Sequence, residues 1–174
     1  MELHISLSQK LGALLRDNQH VMTTAESCTG GGVASAVTDV AGSSQWFDRA
    51  FVTYSNAAKM EMLGVSEATL AQHGAVSEPV VKEMVLGALQ HSHATIGVAI
   101  SGIAGPDGGS EDKPVGTVCF GFADQPGWLQ IETCHFAGDR ATVRAKAVTH
   151  ALNVICQHST VLSTCFWWRR LWSA

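Results

Sequence analysis

The sequence predicts a single α/β domain, a layered sandwich in which helices flank a mixed sheet, and three observations lead to this prediction. Short apolar segments of strand length alternate with longer segments whose apolar residues recur at helical spacing. The chain has 174 residues, a length that suits one compact domain. Hydrophobic residues make up 46% of it and charged residues only 15%, so a sizeable core can form.

In the first 91 residues the pattern predicts five helices and two strands. The opening helix is predicted from leucines at positions 7, 11, 14 and 15, which share one helical face. Ser77 is placed to cap the last helix of this half. In chain order the predicted elements are a helix over residues 3–17, a strand over 21–25, a helix over 33–40, a strand over 51–54, and helices over 55–63, 66–73 and 79–91.

The second half predicts three strands and one long helix. Residues 95–100 (TIGVAI) are apolar almost throughout, which is typical of a strand buried on both faces. Strands are also predicted over residues 116–122 and 129–135, and a helix over 142–157. We assign residues 1–158 to the domain and treat 159–174, which is rich in tryptophan and arginine, as a separate tail. Three arrangements of the tail stay open: packing on a partner subunit or hydrophobic groove, lying at a membrane surface, or folding back onto its own domain.

Charge and cysteine content limit the expected partners and compartment. A net charge of −4 argues against nucleic acid and anionic membranes, which usually bind basic surfaces. The five cysteines are odd in number and include no CxxC pair, and the first residues lack a secretory pattern. No apolar run approaches the ~20 residues of a membrane span. We therefore expect a cytoplasmic protein that forms a homo-oligomer, a dimer or larger, and binds neither membrane nor nucleic acid.

Ser27 lies where the first predicted strand meets a glycine-rich segment and a helix. The first backbone N–H groups of a helix lack internal partners and carry the positive end of its dipole. The amides from Cys28 to Gly31 are therefore expected to hold an oxyanion that forms beside Ser27. An alternative from the same pattern is that SCTGGG (27–32) only cradles a phosphate or caps the helix.

Lys59 is the candidate base for Ser27. If Ser55 is the N-cap of the next helix, Tyr54 and Lys59 occupy the two positions of a hydrophobic staple, so their side chains should lie together. A lysine has an ordinary pKa of about 10.4, and burial near a helix N-terminus would lower it toward neutrality. Tyr54, the only tyrosine, would then relay the proton or position the amine. A surface lysine beside a packed tyrosine is the alternative.

Other reactive patterns are weaker. The eight histidines form no HxxxH or HxH set with nearby acids, so we expect no metal site. Cys28 is a rival nucleophile without an evident histidine partner, and Ser27 does not lie in GxSxG. The glycine loop over 101–109 should approach a ligand closely, although it lacks the P-loop ending. Arg140 and Arg144 lie four residues apart at the start of the last helix, where cations oppose the dipole; they either bind an anion or are ordinary surface arginines. Glu26 is expected to hydrogen-bond around the nucleophile or to be purely structural.

Seven short motifs, in order, resemble the family of nicotinamide-nucleotide amidohydrolases, which is also the C-terminal domain of the competence/damage-inducible CinA proteins. The resemblance covers roughly residues 5–157 and does not extend into the tail. The motifs that carry it are AESCTGG (25–31), YSNAAK (54–59), LGV (63–65), GAVS (74–77), SGIAGPDGG (101–109), KPVGTV (113–118) and FAGDR (136–140).

The resemblance implies an α/β domain that hydrolyses nicotinamide mononucleotide to nicotinate mononucleotide and ammonia in pyridine-nucleotide salvage, without metal or cofactor. By motif match, Ser27 would be the nucleophile, Lys59 the general base and Tyr54 its catalytic helper. Contacts to the phosphorylated nucleotide, with Arg140 on the phosphate, are expected from Cys28, Thr29, Gly30, Gly31, Ala104, Gly105 and Arg140. Two alternatives stay open: a module that binds a pyridine nucleotide or phosphate without hydrolysis, and a Ser/Lys amidase for another small amide.

Overall fold

The computed structural model describes the backbone of residues 2–171 and the side chains of residues 4–162. Within that range the chain forms six α-helices, five strands and one 3₁₀ turn at Ser43–Gln45. In chain order the helices and strands are α1 (Glu2–Asp17), β1 (Met22–Glu26), α2 (Gly32–Thr38), β2 (Phe47–Val52), α3 (Asn56–Leu63), α4 (Glu67–His73), α5 (Glu78–Gln90), β3 (Ile96–Gly102), β4 (Thr117–Asp124), β5 (Leu129–His135) and α6 (Arg140–Leu171).

The five strands form one mixed sheet in the order β2-β1-β3-β4-β5. Strands β2, β1 and β3 are parallel, whereas β4 and β5 run antiparallel to their neighbours. The carboxyl ends of the three parallel strands consequently meet at one edge of the sheet, where ligands of open α/β sheets bind. The predicted fold class is confirmed.

Two apolar clusters cover the two faces of the sheet. On one face α1, α2 and α6 contribute Leu11, Val37 and Leu152 to a cluster that includes Val98 of β3. On the other face α3, α4 and α5 pack over Ala99 and its neighbours. Since successive strand residues point to opposite faces, Val98 and Ala99 contribute to different clusters. Strand β3 is therefore buried on both faces, as its sequence predicts.

The largest differences from the predictions concern the start of β2, both ends of α6 and the cap of α5. Strand β2 begins at Phe47 rather than at residue 51, because an edge strand tolerates the half-exposed residues that precede Phe51. Helix α6 begins at Arg140, with the Asp139 carboxylate accepting the Thr142 amide, and it continues to Leu171 instead of ending at residue 157. Ser77 occupies the N-cap position of α5, but its hydroxyl donates to the Gly74 carbonyl and does not cap the helix.

The backbone of the tail continues helix α6 as far as Leu171. The three arrangements considered for the tail depend on aromatic side chains that lie outside the described residues. The division of the chain at residue 158 stays a prediction. Among the described residues, no helix combines the length and apolar character that crossing a membrane requires.

Candidate active site

A cavity of about 240 Å³ opens at the carboxyl edge of the parallel strands. Six of the ten residues predicted for catalysis or substrate binding line it: Ser27, Cys28, Tyr54, Lys59, Ala104 and Arg140. The other four, Thr29, Gly30, Gly31 and Gly105, do not contribute to its wall. The predicted glycine-rich segments therefore contribute only in part to the wall of this cavity.

The structure brings Ser27 and Lys59 together in the wall of this cavity. The Lys59 amine, Nζ, lies 3.1 Å from the Ser27 hydroxyl oxygen, and both residues are buried, Lys59 with only 1% of its surface exposed. Ser27 follows the last residue of β1, and Lys59 lies in the first turn of α3. The predicted cap of α3 is confirmed, because the Ser55 hydroxyl accepts the Ala58 amide.

The surroundings of Lys59 favour its neutral amine. Nζ donates to the Thr53 carbonyl at 2.9 Å, and no carboxylate among the described side chains lies within ion-pair distance of it. Burial lowers the pKa of Lys59 below its ordinary value, and the nearby Cys28 acts weakly in the opposite direction. A buried, unpaired lysine that shares a hydrogen bond with a serine is the arrangement that activates such a hydroxyl.

Glu26 holds the loop that carries Ser27. Its buried carboxylate accepts the amides of Val33 and Ala34 at 3.0 and 2.9 Å, so it caps helix α2 in place of a side chain at Gly31. It also accepts a hydrogen bond from the Thr24 hydroxyl. Glu26 therefore joins the end of β1 to the start of α2, and the amides it occupies cannot serve an oxyanion.

The amides predicted for an oxyanion are only partly available. The Gly30 amide donates to the Ser27 carbonyl at 3.0 Å, which removes it from that set. Within the described part of the chain, the amides of Cys28, Thr29 and Gly31 have no hydrogen-bond acceptor. Of these three residues only Cys28 lines the cavity, so its amide is the remaining candidate for the predicted oxyanion donor. Gly30 and Gly31 instead provide the turn, because their φ angles of 60° and 89° favour glycine.

Arg144 and Arg140 take different positions, although the sequence suggested a common anion-binding role. The guanidinium of Arg144 donates to the carbonyls of Cys28 and Thr29 at 3.1 and 3.0 Å and lies outside the cavity. Arg144 thus connects the loop that follows β1 to α6. Arg140 does line the cavity, where its guanidinium donates to the Gly105 carbonyl at 2.9 Å.

Tyr54 is oriented toward Arg140. Its hydroxyl accepts a hydrogen bond from Arg140 at 3.0 Å, and 62% of the residue is exposed. The Lys59 amine bonds to the Thr53 carbonyl and the Ser27 hydroxyl. Although Tyr54 and Lys59 line the same cavity, the hydrogen bonds of phenol and amine therefore go to different partners.

The rival nucleophile, Cys28, is unreactive in this setting. Burial raises the pKa of its thiol to about 11. The Cys28 backbone acts in the opposite direction, and smaller effects come from Glu26, which raises the pKa, and from Arg144 and Lys59, which lower it. A thiol with that pKa is almost wholly protonated at neutral pH, and the thiolate is the nucleophilic form.

The cavity also has a wall formed by Asn56, Ala75 and Val76, which were not predicted, together with Ser101 and Gly102 from the glycine loop over 101–109, which was expected to approach a ligand. The Ser101 hydroxyl donates to the Ala75 carbonyl at 2.7 Å, and the Lys113 amine donates to the Val76 carbonyl at 2.8 Å. These bonds hold the α4–α5 connection against the end of β3 and the segment between β3 and β4. Asn56 lies three residues before Lys59, and that spacing on one helix was the signal available in the sequence.

Comparison with known proteins identifies relatives over most of the chain. The family model described as the CinA C-terminal domain matches residues 4–159. The nicotinamide-nucleotide amidohydrolase PncC of Escherichia coli (strain K12) is 58% identical over 153 residues, covering 88% of this chain and 93% of the relative. The Pseudomonas putida protein of the same name is 50% identical over 155 residues, covering 89% and 96%.

Solved structures show the same fold. The competence-damaged protein (CinA) superfamily protein of Klebsiella pneumoniae 700603 has a TM-score of 0.87 at 38% identity, covering 90% of this chain and 98% of that one. The competence/damage inducible protein CihA of Agrobacterium tumefaciens has a TM-score of 0.86 at 40% identity, covering 88% and 93%.

Proposed function

The chain belongs to the CinA C-terminal domain family, and from this premise we propose that it is an amidase that hydrolyses nicotinamide mononucleotide to nicotinate mononucleotide and ammonia. Relatives at 58% and 50% identity carry the name nicotinamide-nucleotide amidohydrolase, which supports the substrate class. The observation that carries the proposal is the buried Lys59 amine at 3.1 Å from the Ser27 hydroxyl, without a carboxylate partner among the described side chains.

The first half of the proposed reaction acylates Ser27. The neutral Lys59 amine accepts the hydroxyl proton while the Ser27 oxygen attacks the carboxamide carbon. A bond forms between that carbon and the serine oxygen. The carbonyl π bond breaks at the same time, and its electron pair moves to the carbonyl oxygen, which becomes the oxyanion. The Cys28 amide stabilises this charge. When the oxyanion collapses, the carbon–nitrogen bond breaks and ammonia leaves with the proton that Lys59 carried.

The second half releases the acid. Lys59, neutral again, accepts a proton from a water molecule as its oxygen attacks the acyl carbon. The ester bond to Ser27 then breaks, the serine oxygen recovers its proton from Lys59, and nicotinate mononucleotide leaves. One water is consumed and one ammonia is produced in each cycle. The Thr53 carbonyl orients the amine in both halves, because Nζ donates to it at 2.9 Å.

Arg140 and Tyr54 are proposed to bind the nucleotide at the mouth of the cavity. Two of the five N–H groups of the Arg140 guanidinium are used in its bonds to Gly105 and Tyr54, which leaves three for a phosphate. We propose that Tyr54 assists catalysis by contacting the substrate rather than the Lys59 amine. We further propose that the enzyme is a homo-oligomer that acts in pyridine-nucleotide salvage in the cytoplasm. The four described cysteines are all free, which is compatible with that compartment.

The decisive experiment compares ammonia release from nicotinamide mononucleotide, free nicotinamide and NAD by the purified chain. We expect release from the mononucleotide and little from the other two, because only the first offers a carboxamide and a terminal phosphate at the required separation. Binding of the mononucleotide without ammonia would instead support a regulatory binding module. Cleavage of a different small amide alone would support another Ser/Lys amidase, and either result would contradict the proposed function.

Arg140→Ala should raise KM for nicotinamide mononucleotide by roughly tenfold or more and lower kcat much less, because a phosphate contact stabilises ground and transition states alike. The measurement is steady-state kinetics on the mononucleotide and on nicotinamide riboside, which lacks the phosphate. KM for the riboside should not change. Arg49→Ala removes an exposed arginine near the start of β2 and serves as the control. An unchanged KM for the mononucleotide would exclude Arg140 as the phosphate ligand.

A further inference from the structure

Three side chains with metal-binding atoms converge between strand β5 and helix α6, away from the cavity. Glu132 and Cys134 lie on β5, His150 lies on α6, and their ligand atoms are all within 4.8 Å of one another. The His150 Nε2 atom is 2.8 Å from a Glu132 carboxylate oxygen and 3.7 Å from the Cys134 sulfur. Strand β5 is at the far edge of the sheet from β1, which leads into Ser27, so the cluster is separate from the amidase site.

The cluster does not have the geometry of a second catalytic triad. In a triad the histidine uses one ring nitrogen for the nucleophile and the other for the carboxylate, so that the carboxylate orients the ring. Here the thiol and the carboxylate both face the same nitrogen, Nε2 of His150. Neither can pass a proton through the ring to the other. Three ligand atoms of different chemistry that lie within 4.8 Å of one another are instead suited to a cation.

We propose that Glu132, Cys134 and His150 bind a zinc ion through one oxygen, one sulfur and one nitrogen. Tetrahedral zinc with bonds of about 2.3 Å to sulfur and 2.0 Å to nitrogen places those two atoms roughly 3.5 Å apart. The observed separation is 3.7 Å. A tetrahedral site places the ligand nitrogen and oxygen about 3.3 Å apart, so their separation of 2.8 Å has to widen by about half an ångström. The sulfur–oxygen separation, which is within 4.8 Å, has to come to about 3.5 Å. A thiolate and an imidazole together favour zinc over magnesium or calcium, which prefer oxygen ligands.

The surroundings of the cluster fit a bound ion. The rings of Phe120, Phe136 and Phe122 lie 4.7, 6.0 and 6.5 Å from the His150 ring, and they form an apolar wall that restricts its rotation. The other side is open, because the side chains of His150 and Glu132 are 27% and 30% exposed, which provides an entry path and room for a water ligand. An ion here would link the edge strand to α6.

This site departs from the expectation of no metal because its ligands are far apart in sequence. Glu132 and Cys134 share a sheet face through their two-residue spacing, but His150 reaches them only after β5 and α6 have packed. A search for short histidine motifs does not detect such a set.

The test is equilibrium dialysis of the metal-stripped full chain against Zn²⁺, with Co²⁺ as a spectroscopic substitute. We expect one equivalent of zinc and a thiolate-to-cobalt charge-transfer band in the near ultraviolet. Cys134→Ser and His150→Asn should abolish stoichiometric binding, and Glu132→Gln should weaken it by about tenfold or more. His135→Asn is the matched control, because His135 is exposed, adjacent to Cys134 and on the other face of β5. It should bind zinc as the unmodified chain does.

Thermal unfolding gives a second readout that does not depend on amidase activity. Zinc should raise the Tm of the unmodified chain and of His135→Asn by several degrees, and leave the Tm of Cys134→Ser unchanged. Circular dichroism without metal verifies that each variant is folded. Absence of stoichiometric zinc, a cobalt spectrum without the thiolate band, or full binding by Cys134→Ser would each overturn the proposal. If a variant does not fold, the cobalt spectrum of the unmodified chain decides.

Discussion

Ser27→Ala is expected to reduce kcat for nicotinamide mononucleotide by at least about 10⁴-fold, to near the background of ammonia release. The reason is that the other nucleophilic groups in the cavity wall are not activated. The Ser101 hydroxyl donates its hydrogen to the Ala75 carbonyl at 2.7 Å. The neighbouring thiol of Cys28 is held protonated, with a pKa of about 11. Water activated by Lys59 could attack directly, but without the covalent intermediate the residual rate comes only from binding and the oxyanion donor.

The fold should tolerate this change, so the loss of activity can be assigned to the chemistry. Among the described residues, the Ser27 hydroxyl forms a hydrogen bond with the Lys59 amine. Removing this bond should lower the free energy of unfolding by about 1 kcal/mol. Ammonia release, Tm and mononucleotide affinity are to be measured together. Cys28→Ala, in the same loop, is the matched control and should keep its activity within about tenfold. Full activity in Ser27→Ala, or an activity loss confined to Cys28→Ala, would remove Ser27 as the nucleophile.

Much of the fold follows from local sequence patterns, and the exceptions have physical causes. The apolar run at residues 95–100 predicts a strand buried on both faces, and β3 is buried along almost its whole length. Strand β2 begins before its predicted start because Asp48 and Arg49 interrupt the apolar pattern, which an edge strand permits. The periodic pattern of apolar residues arises from burial, so it is weakest in an element that is partly exposed.

The candidate site shows the same division between local and long-range information. Ser27 is marked by the end of a strand and Lys59 by the start of a helix. Each signal consists of residues within a few positions of the residue that it marks. The bond between Tyr54 and Arg140 joins residues 86 positions apart, and the bond between Ser101 and the Ala75 carbonyl joins residues 26 apart. These contacts depend on how helices and loops pack over the sheet, which spacing along the chain does not encode.

Lys59→Met is expected to lower kcat by about 10³-fold, because it removes the group that accepts the Ser27 proton. Methionine has a similar length and fits the buried site without a charge, so the variant should remain folded. Lys59→Arg should lose a similar factor, since a guanidinium stays protonated and cannot act as a base. The pair of variants therefore separates proton transfer from simple positive charge. The measurement is kcat, from the rate of ammonia release at saturating substrate.

Lys82→Met is the matched control for this test, because Lys82 is an exposed lysine on α5. It should hydrolyse the mononucleotide at the unmodified rate. Retention of activity in Lys59→Arg would mean that the residue contributes charge rather than a base, and retention in Lys59→Met would remove it from the reaction altogether.

The pH dependence of stability tests the same lysine in the absence of substrate. Burial lowers the pKa of Lys59 in the folded chain, whereas the unfolded chain keeps the ordinary value of 10.5. Between those two pKa values unfolding takes up a proton, so this residue makes the free energy of unfolding rise with pH, by at most about 1.4 kcal/mol per pH unit. Below the lowered pKa both states are protonated and the contribution is flat.

Denaturant titrations of the unmodified chain and Lys59→Met across this window should therefore diverge, with the unmodified chain gaining stability relative to the variant as the pH approaches 10.5. The rate of ammonia release should increase over the lower part of the same window, because the fraction of neutral amine increases there. Parallel stability curves would mean that Lys59 titrates alike in folded and unfolded chains. A buried amine with an ordinary pKa would be charged at neutral pH, and it could not accept the proton of Ser27.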